Sequence, residues 1–120
     1  MFNLTEAEWK IMEILWSKGS LTTMEIIKEM EGLHGWAKST VITVLNRMDN
    51  KGSIRYEMKN KSKIYTANIA KSEAKIEETR TFLDKFYEGS LGLMIKNFIR
   101  EEALSAEEIE EIQKIINEGE

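Results

Sequence analysis

Four hydroxyl and amide side chains recur at intervals of three to four residues within one short segment of the chain. They are Ser39, Thr43, Asn46 and Asn50. On an α-helix this spacing places them in one stripe, which Ile42 and Arg47 flank. Hydroxyl, amide and guanidinium groups form the hydrogen bonds that read base edges and hold phosphates, and an aliphatic group can contact a thymine methyl. Such a stripe is usually an ordinary solvated helix face, so recognition of DNA by this surface is a hypothesis that needs support from the rest of the chain.

The opposite side of the same segment is apolar. The apolar residues at positions i, i+3, i+4 and i+7 are Val41, Val44, Leu45 and Met48. This spacing is typical of a helix face that packs against a core. We expect the helix to run from about Lys38 to Lys51 and to end before Gly52.

A β-hairpin with a basic tip is predicted directly after this helix. Residues 54–58 and 63–67 alternate apolar and polar side chains, as strands with one covered face do. Lys59, Lys61 and Lys63 lie at or beside the connecting turn, where they would meet the DNA backbone. A charged turn that protects an edge strand from aggregation would have the same composition, and both interpretations can hold together.

Charge is distributed unevenly along the chain. The net charge of −4 over 120 residues argues by itself against binding to DNA. However, residues 38–63 hold seven Lys and Arg against two acidic residues, whereas residues 71–120 hold seven against thirteen. Positive charge is therefore concentrated where phosphates would lie. The residues predicted to contact DNA are Lys38, Ser39, Thr40, Ile42, Thr43, Asn46, Arg47, Asn50, Lys59, Lys61 and Lys63.

Three Thr or Ser residues are each followed three positions later by glutamate, the signature of a capping box that begins a helix. The pairs are Thr5 with Glu8, Thr22 with Glu25, and Ser105 with Glu108. The first helix is expected to end at Lys18 and Gly19, and Leu21 is a candidate for a short strand. Three helices followed by a hairpin is the order of a winged helix-turn-helix domain, which we place at residues 1–70.

The second of these helices is predicted from about Thr22 to Met30. Met24, Ile27 and Met30 have the spacing of a buried face. Residues 31–36 contain two glycines and are therefore predicted to form a loop.

Residues 71–120 are predicted to form three helices without strands, over about 72–88, 91–102 and 106–117. Each helix has an apolar face, and fifty residues make a poor independent core. A second copy of the chain would cover these faces and supply the twofold symmetry of many DNA-binding proteins. We therefore expect a mostly α protein with an all-α C-terminal dimerisation domain. The residues predicted at its interface are Leu83, Phe86, Tyr87, Met94, Ile95, Phe98, Ile99, Ile109, Ile112 and Ile116.

Composition argues against several other classes of site. The chain has no cysteine and a single histidine, so we expect no disulfide, no metal and no cofactor. There is no glycine-rich phosphate loop and no set of nucleophile, base and acid, so neither an enzyme nor a small-molecule substrate is expected. No apolar run approaches the roughly 18 residues that span a bilayer, and a signal-peptide pattern is missing, which favours a cytoplasmic protein.

The chain resembles the BlaI/MecI/CopY penicillinase-repressor family over essentially its whole length, and three segments carry the resemblance. They are Leu4-Thr5-Glu6-Ala7-Glu8-Trp9 with Ile14-Leu15-Trp16, the stretch from Trp36 through Thr40-Val41, Thr43 and Leu45-Asn46-Arg47 to Lys51-Gly52, and the tail from Leu104 to Ile112. The resemblance implies winged-helix homodimers that occupy palindromic promoter operators and repress antibiotic-resistance genes.

The same resemblance implies a mode of regulation. In the penicillinase branch a membrane-bound sensor-protease detects a β-lactam, and repression ends when an Asn-Phe bond in the dimerisation domain is cleaved. Asn97 and Phe98 fall in the matching stretch of this chain. The copper-responsive branch instead carries clustered cysteines near its C-terminus, so the lack of cysteine excludes direct copper sensing.

Two departures from the family fall where an operator would be read. Relatives often begin the recognition helix with Ser-Pro-Lys, whereas this chain has Ala37-Lys38-Ser39, and Ile42 stands at a position that is sometimes basic. The operator sequence is therefore not predicted. A winged-helix module that binds a protein rather than DNA is the alternative, and it agrees with the acidic net charge.

Overall fold

The structure is a computed structural model that describes residues 2–119. The described chain contains six α-helices and a three-stranded sheet. It divides into two compact units, the first ending at Glu78 and the second beginning at Thr79, with the division inside the fourth helix. None of the described helices is both long enough and apolar enough to cross a membrane.

Helix α1, Glu6–Lys18, begins with the predicted capping box. The Thr5 hydroxyl accepts the backbone N–H of Glu8 at 3.2 Å, and Oε1 of Glu8 accepts the backbone N–H of Thr5 at 2.8 Å. The two other predicted boxes, at Thr22 and Ser105, are formed in the same way. All three predicted helix starts are confirmed.

Helix α2, Thr23–His34, is longer than predicted. Its C-cap is Gly35 in the left-handed conformation (φ 66°), whereas Gly32 lies within the helix. The predicted loop over residues 31–36 is therefore mostly wrong, because a glycine inside a helix costs only about 1 kcal/mol and packing can offset this cost.

The buried face of α2 also differs in part from the prediction. It consists of Ile26, Ile27 and Met30, whereas Met24 is 61% exposed. Met24 was wrongly predicted to be buried. It lies two residues before Ile26, which places it on nearly the opposite side of the helix from that core residue.

Helix α3, Lys38–Lys51, has the predicted bounds and ends at Gly52 in the left-handed conformation. Its four predicted apolar residues, Val41, Val44, Leu45 and Met48, are all buried. The remaining face of the helix is thereby turned away from the core.

The sheet contains β1, Leu21–Thr22, β2, Ile54–Lys59, and β3, Ser62–Ala67, in the antiparallel order β1-β3-β2. The predicted hairpin and the short strand at Leu21 are confirmed. The turn between β2 and β3 consists of Asn60 and Lys61, both with positive φ, as in the hairpin turns that match strand twist.

The core of the first unit joins the three helices to the sheet and to the start of α4, Lys71–Tyr87. Ala74 of α4 is buried in this core, and the indole Nε1 of Trp16 donates to the Ile69 carbonyl at 2.9 Å. The rings of Trp9 and Trp16 meet edge to face with centroids 5.3 Å apart. This arrangement is the predicted winged helix-turn-helix.

The second unit contains the rest of α4 together with α5, Leu91–Arg100, and α6, Ala106–Glu118. These helices are close to their predicted bounds. Of residues 79–119, only Leu83 is buried. Large apolar side chains remain exposed, namely Phe82, Phe86, Leu91, Leu93, Ile99, Ile115 and Ile116. A single copy of this unit therefore lacks a substantial core.

Candidate nucleic-acid interface

The outer face of α3 is exposed along its whole length. The predicted contact residues on this helix, Lys38, Ser39, Thr40, Ile42, Thr43, Asn46, Arg47 and Asn50, are all exposed. The Thr43 hydroxyl donates to the Ser39 carbonyl at 2.9 Å, so its oxygen is left to act as an acceptor. The helix therefore presents hydroxyl, amide, aliphatic and guanidinium groups together on one convex surface.

The start of α3 differs from the starts of α1 and α2, which have capping boxes. The N-cap residue is Ala37, which provides no side-chain cap, and the first turn contains no acidic residue. Backbone N–H groups there remain available to a partner, and the positive end of the helix dipole favours an anion. Lys38 and Ser39 lie at this end, so it would accept a phosphate beside the base-reading stripe.

Four predicted contact residues carry exposed cations, although the charge of Arg47 also acts on the buried carboxylate of Glu8. Within the described residues, no hydrogen bond or ion pair engages the charged groups of Lys38, Arg47, Lys59 or Lys61. Their charges are available to phosphates, where each pairing releases counterions.

Other basic residues of the same region are engaged within the protein. Nζ of Lys63, which is half-buried, lies 4.5 Å from the ring centroid of Tyr56, and Arg55 donates to Oδ1 of Asn68 at 3.2 Å. Lys51 forms an ion pair with the buried Glu8. The charge of Lys51 is thus offset within the protein, whereas Lys63 and Arg55, whose partners are neutral, keep their charges.

Beside the hairpin tip lies a shallow groove that sequence reasoning missed. Met24 and Met58, each 61% exposed, line it together with Lys61, Lys63 and hydroxyl residues of α2 and β3. The signal in the sequence was weak, because methionine at a helical position favours a core assignment. The groove extends the basic hairpin surface towards the start of α2.

The residues predicted to form a dimer interface differ in exposure. Leu83 is only 2% exposed in the single chain, so little of its surface is left for a partner. The exposed members are Phe86, Ile99 and Ile116, and the half-buried members are Tyr87, Met94, Ile95, Phe98, Ile109 and Ile112. All ten lie on helices of the second unit.

The Asn97-Phe98 bond lies within α5. Both side chains are half-buried, and Asn97 lines a groove with Phe86, Leu93 and Arg100. The helix has an apolar face but buries none of its residues. The bond is thus held in helical geometry by an element with few tertiary contacts.

Metal binding finds no support in the geometry of residues 2–119. No group of three or more His, Cys, Asp or Glu side chains in this part of the chain is arranged to hold an ion. The acidic residues of α6 line up along a helix rather than converging on a point.

Comparison with known proteins connects this geometry to a family. The model of the penicillinase repressor family matches residues 4–118. The penicillinase repressor of Bacillus licheniformis is 34% identical over 115 residues, covering 96% of this chain and 90% of the relative. The methicillin resistance regulatory protein MecI of Mammaliicoccus sciuri is 32% identical over 116 residues, covering 97% and 94%.

Two solved structures share the winged-helix part of the chain. The DNA-binding domain of the repressor BlaI superimposes with a TM-score of 0.56 at 30% identity, covering 60% of this chain and 88% of that one. The monomeric form of Bacillus licheniformis BlaI in complex with the blaP half-operator gives a TM-score of 0.54 at 31% identity, covering 59% and 87%.

Proposed function

The chain belongs to the penicillinase repressor family, and on that premise we propose that it is a homodimeric repressor that binds operator DNA. The observation that carries the proposal is the exposed outer face of α3, with Arg47, beside a hairpin tip with Lys59 and Lys61, three cations that form no ion pair within the described residues. In this arrangement α3 enters the major groove while the hairpin lysines contact the adjacent backbone. A homologue of the same fold is known in complex with a half-operator.

The second unit is proposed as the dimerisation domain. Only Leu83 is buried among residues 79–119, and aromatic and aliphatic side chains such as Phe86 (57% exposed) and Ile116 (70% exposed) face solvent. At about 25 cal/mol per Å² of apolar area, covering these faces with a second copy is a strong driving force. A dimer then carries two copies of α3, which matches a palindromic operator.

Relief of repression is proposed to occur by proteolysis between Asn97 and Phe98. A helical backbone must open before a protease can bind it, and α5, which buries no residue, opens at low cost. Cleavage there separates the end of the chain from the rest of the second unit and weakens the dimer. Two linked DNA-binding units gain effective concentration on the operator, so the loss of dimerisation releases DNA without altering α3.

The proposed partner for this step is a membrane-bound sensor-protease. The proposed targets are β-lactam resistance genes, and the proposed location of the repressor is the cytoplasm. We assign the protein a regulatory role without catalysis. A β-lactam challenge of cells that hold the protein and its sensor should yield a fragment beginning at Phe98. An intact chain after induction, or a different new N-terminus, contradicts this route.

The test of DNA recognition uses duplexes from the protein's own promoter region. We expect the full-length protein to prefer a palindrome with half-sites about 10 bp apart over a scrambled duplex, with affinity that falls steeply as salt rises. The combined variant Arg47→Ala, Lys59→Ala and Lys61→Ala should lose most of this affinity. No preference in the wild type, or full affinity in the variant, would favour a module that binds protein instead.

A further inference from the structure

Glu8 is an acidic residue whose side chain is completely buried. Its Oε1 atom accepts hydrogen bonds from Nζ of Lys51 at 2.8 Å and from the backbone N–H of Thr5 at 2.8 Å, whereas the buried Oε2 atom has no hydrogen-bond partner among residues 2–119. Burial by itself would raise the pKa of Glu8. The bonds from Lys51 and Thr5, together with the charges of Lys51 and Arg47, outweigh burial and hold the pKa below its ordinary value. Glu8 is therefore ionised at neutral pH.

The other end of this ion pair is the last residue of α3. Nζ of Lys51 also donates to the Asn3 carbonyl at 3.3 Å, and a Cβ on Gly52 would lie 3.8 Å from the ring of Phe2. The segment before α1 thus packs against the C-terminal end of α3. The ion pair couples the start of α1 to the end of α3.

Apolar packing holds α3 against the core, and Nδ2 of Asn68 donates to the Gly52 carbonyl at 2.9 Å just after the helix ends. Its buried stripe, formed by Val41, Val44, Leu45 and Met48, packs without directional bonds. A buried ion pair adds little net stability, because desolvation opposes the attraction between the charges. It does restrict geometry, since the carboxylate must meet the ammonium at hydrogen-bond distance.

We propose that Glu8 is a positioning residue for DNA recognition, which fixes the end of α3 against α1 and withholds Lys51 from the phosphates. This inference rests on the proposed operator binding. The base-reading side chains Asn46 and Asn50 lie in the two turns that precede Lys51, so a shift of this end displaces them from the base edges.

The test compares three variants of the full-length protein, namely Glu8→Gln, Lys51→Met and the double variant. Glutamine retains an acceptor for the Thr5 cap, and the double variant replaces the charges by neutral groups of similar size. The matched control is Lys18→Met, which removes the exposed ion pair of Lys18 with Glu29 (3.1 Å) at the end of α1. Anisotropy measures the affinity for the palindromic promoter duplex and for its scrambled form across a salt series, and thermal melts identify a temperature at which each variant is folded.

We expect the ratio of palindromic to scrambled affinity to fall about tenfold in Glu8→Gln and in Lys51→Met, the size of one misplaced base contact. It should stay within about twofold in Lys18→Met. Freed from its carboxylate, Lys51 in Glu8→Gln should steepen the slope of log Kd against log salt by about one per subunit, whereas Lys51→Met should not. The double variant should be more stable than Lys51→Met, which leaves the buried carboxylate without its cation, and should still lack the preference.

An unchanged affinity ratio in both single variants, or an unchanged salt slope in Glu8→Gln, overturns the inference. A double variant that recovers the preference along with its stability does so as well, because the ion pair would then serve folding alone. If one single variant fails to fold, the other single variant and the double variant decide the test. If the wild type shows no preference for the palindrome, the proposed function fails instead.

Discussion

Two kinds of DNA contact can be separated at the scale of single residues. Asn46 lies on the exposed stripe of α3, where its amide can bond two atoms of one base edge. Lys61 lies in the hairpin turn with no partner within the described chain, and an ammonium there can only neutralise a phosphate. Replacement of these residues should therefore have different consequences.

We predict that Asn46→Ala lowers affinity for the palindrome by about 1–3 kcal/mol and leaves affinity for a scrambled duplex nearly unchanged. Lys61→Ala should weaken binding to both duplexes by a similar factor and reduce the salt slope by about one per subunit. Anisotropy titrations at several salt concentrations measure both effects. Equal losses on both duplexes for Asn46→Ala would place that residue outside the base-reading surface.

Glu25 gives a prediction for pH dependence. The backbone N–H of Thr22 donates to Oε1 of Glu25 at 2.8 Å, and this bond, together with the nearby Thr22 hydroxyl, holds the pKa of Glu25 below its ordinary value of 4.5. A lowered pKa in the folded state stabilises the protein above the unfolded value, and this stabilisation is lost as the pH falls through the folded value. The thermal midpoint should therefore decrease below about pH 4.5.

The variant Glu25→Gln should weaken this decrease while retaining most of the stability at pH 7, because glutamine still accepts the Thr22 N–H. Thermal melts from pH 3 to pH 7 compare it with Glu31→Gln, which lies near the other end of α2 outside any capping box. The same acid dependence in both variants and in the wild type would show that the capping carboxylate contributes no pH-dependent stability.

Some residue roles could be predicted from the sequence and others could not. The exposed stripe and the buried stripe of α3 follow from periodicity, because the spacing of the apolar residues identifies the buried face and leaves the opposite face exposed. The pairing of Lys51 with Glu8 joins residues 43 positions apart, and no local pattern indicates it. Lys51 was counted with the basic charge of the interface, yet the fold engages it internally. The individual contacts of the interface with DNA and with a second copy stay predictions.

At the level of single helices, the end of α5 has the hydrogen bonds of a regular C-cap, but the residue at the left-handed position is not a glycine. The backbone N–H of Ala103 donates to the Phe98 carbonyl at 2.8 Å, and that of Glu102 to the Ile99 carbonyl at 3.1 Å. This pattern requires a left-handed residue, normally glycine, and here it is Glu102 with φ 56°. The helix that contains the proposed cleavage site therefore ends in a strained position.

We predict that Glu102→Gly stabilises the protein by about 0.5–1 kcal/mol. The relief of left-handed strain, about 1–2 kcal/mol, exceeds the roughly 0.5–1 kcal/mol entropic cost of glycine. The control Glu101→Gly makes the same substitution at an ordinary φ of −87° and should only destabilise. Denaturant unfolding at a fixed protein concentration compares the two, and a loss of stability in both would contradict the assignment of strain.

Element boundaries were predictable where side chains specify them locally. Capping boxes place the starts of α1, α2 and α6, because the cap and its glutamate are only three residues apart. The end of α2 was not predictable, since Gly32 and Gly35 are equally good signals and tertiary packing decides between them. The turn of the hairpin is shorter than the sequence suggested, because Asn60 and Lys61 accept positive φ.

Across the whole molecule, the two units differ in how much apolar surface each buries in a core of its own. The first has a closed core of helices and sheet, whereas the second leaves Phe86 and Ile116 more than half exposed. Sequence patterns gave the apolar faces of the tail but not how one chain arranges them, since that depends on contacts between distant helices. A second copy of the chain is the occupant that we propose for these faces.

We predict that Phe86→Glu shifts the protein towards the monomer and lowers affinity for a full palindrome by about 100-fold or more, since effective concentration is lost. Affinity for a single half-site should change little. Leu33→Glu, at a residue of similar exposure (60%) in the first unit, is the control for oligomeric state and should remain dimeric. Sedimentation velocity distinguishes the two, and a fully dimeric Phe86→Glu would contradict this assignment of the interface.

In the proposed repressor, two copies of α3 together read a symmetric DNA sequence. The most direct measurement is selection by the full-length protein from a pool of random duplexes, followed by sequencing of the bound fraction. We expect enrichment of one palindrome whose half-sites lie about one helical turn apart. Enrichment of no sequence, or of a site without twofold symmetry, would contradict it.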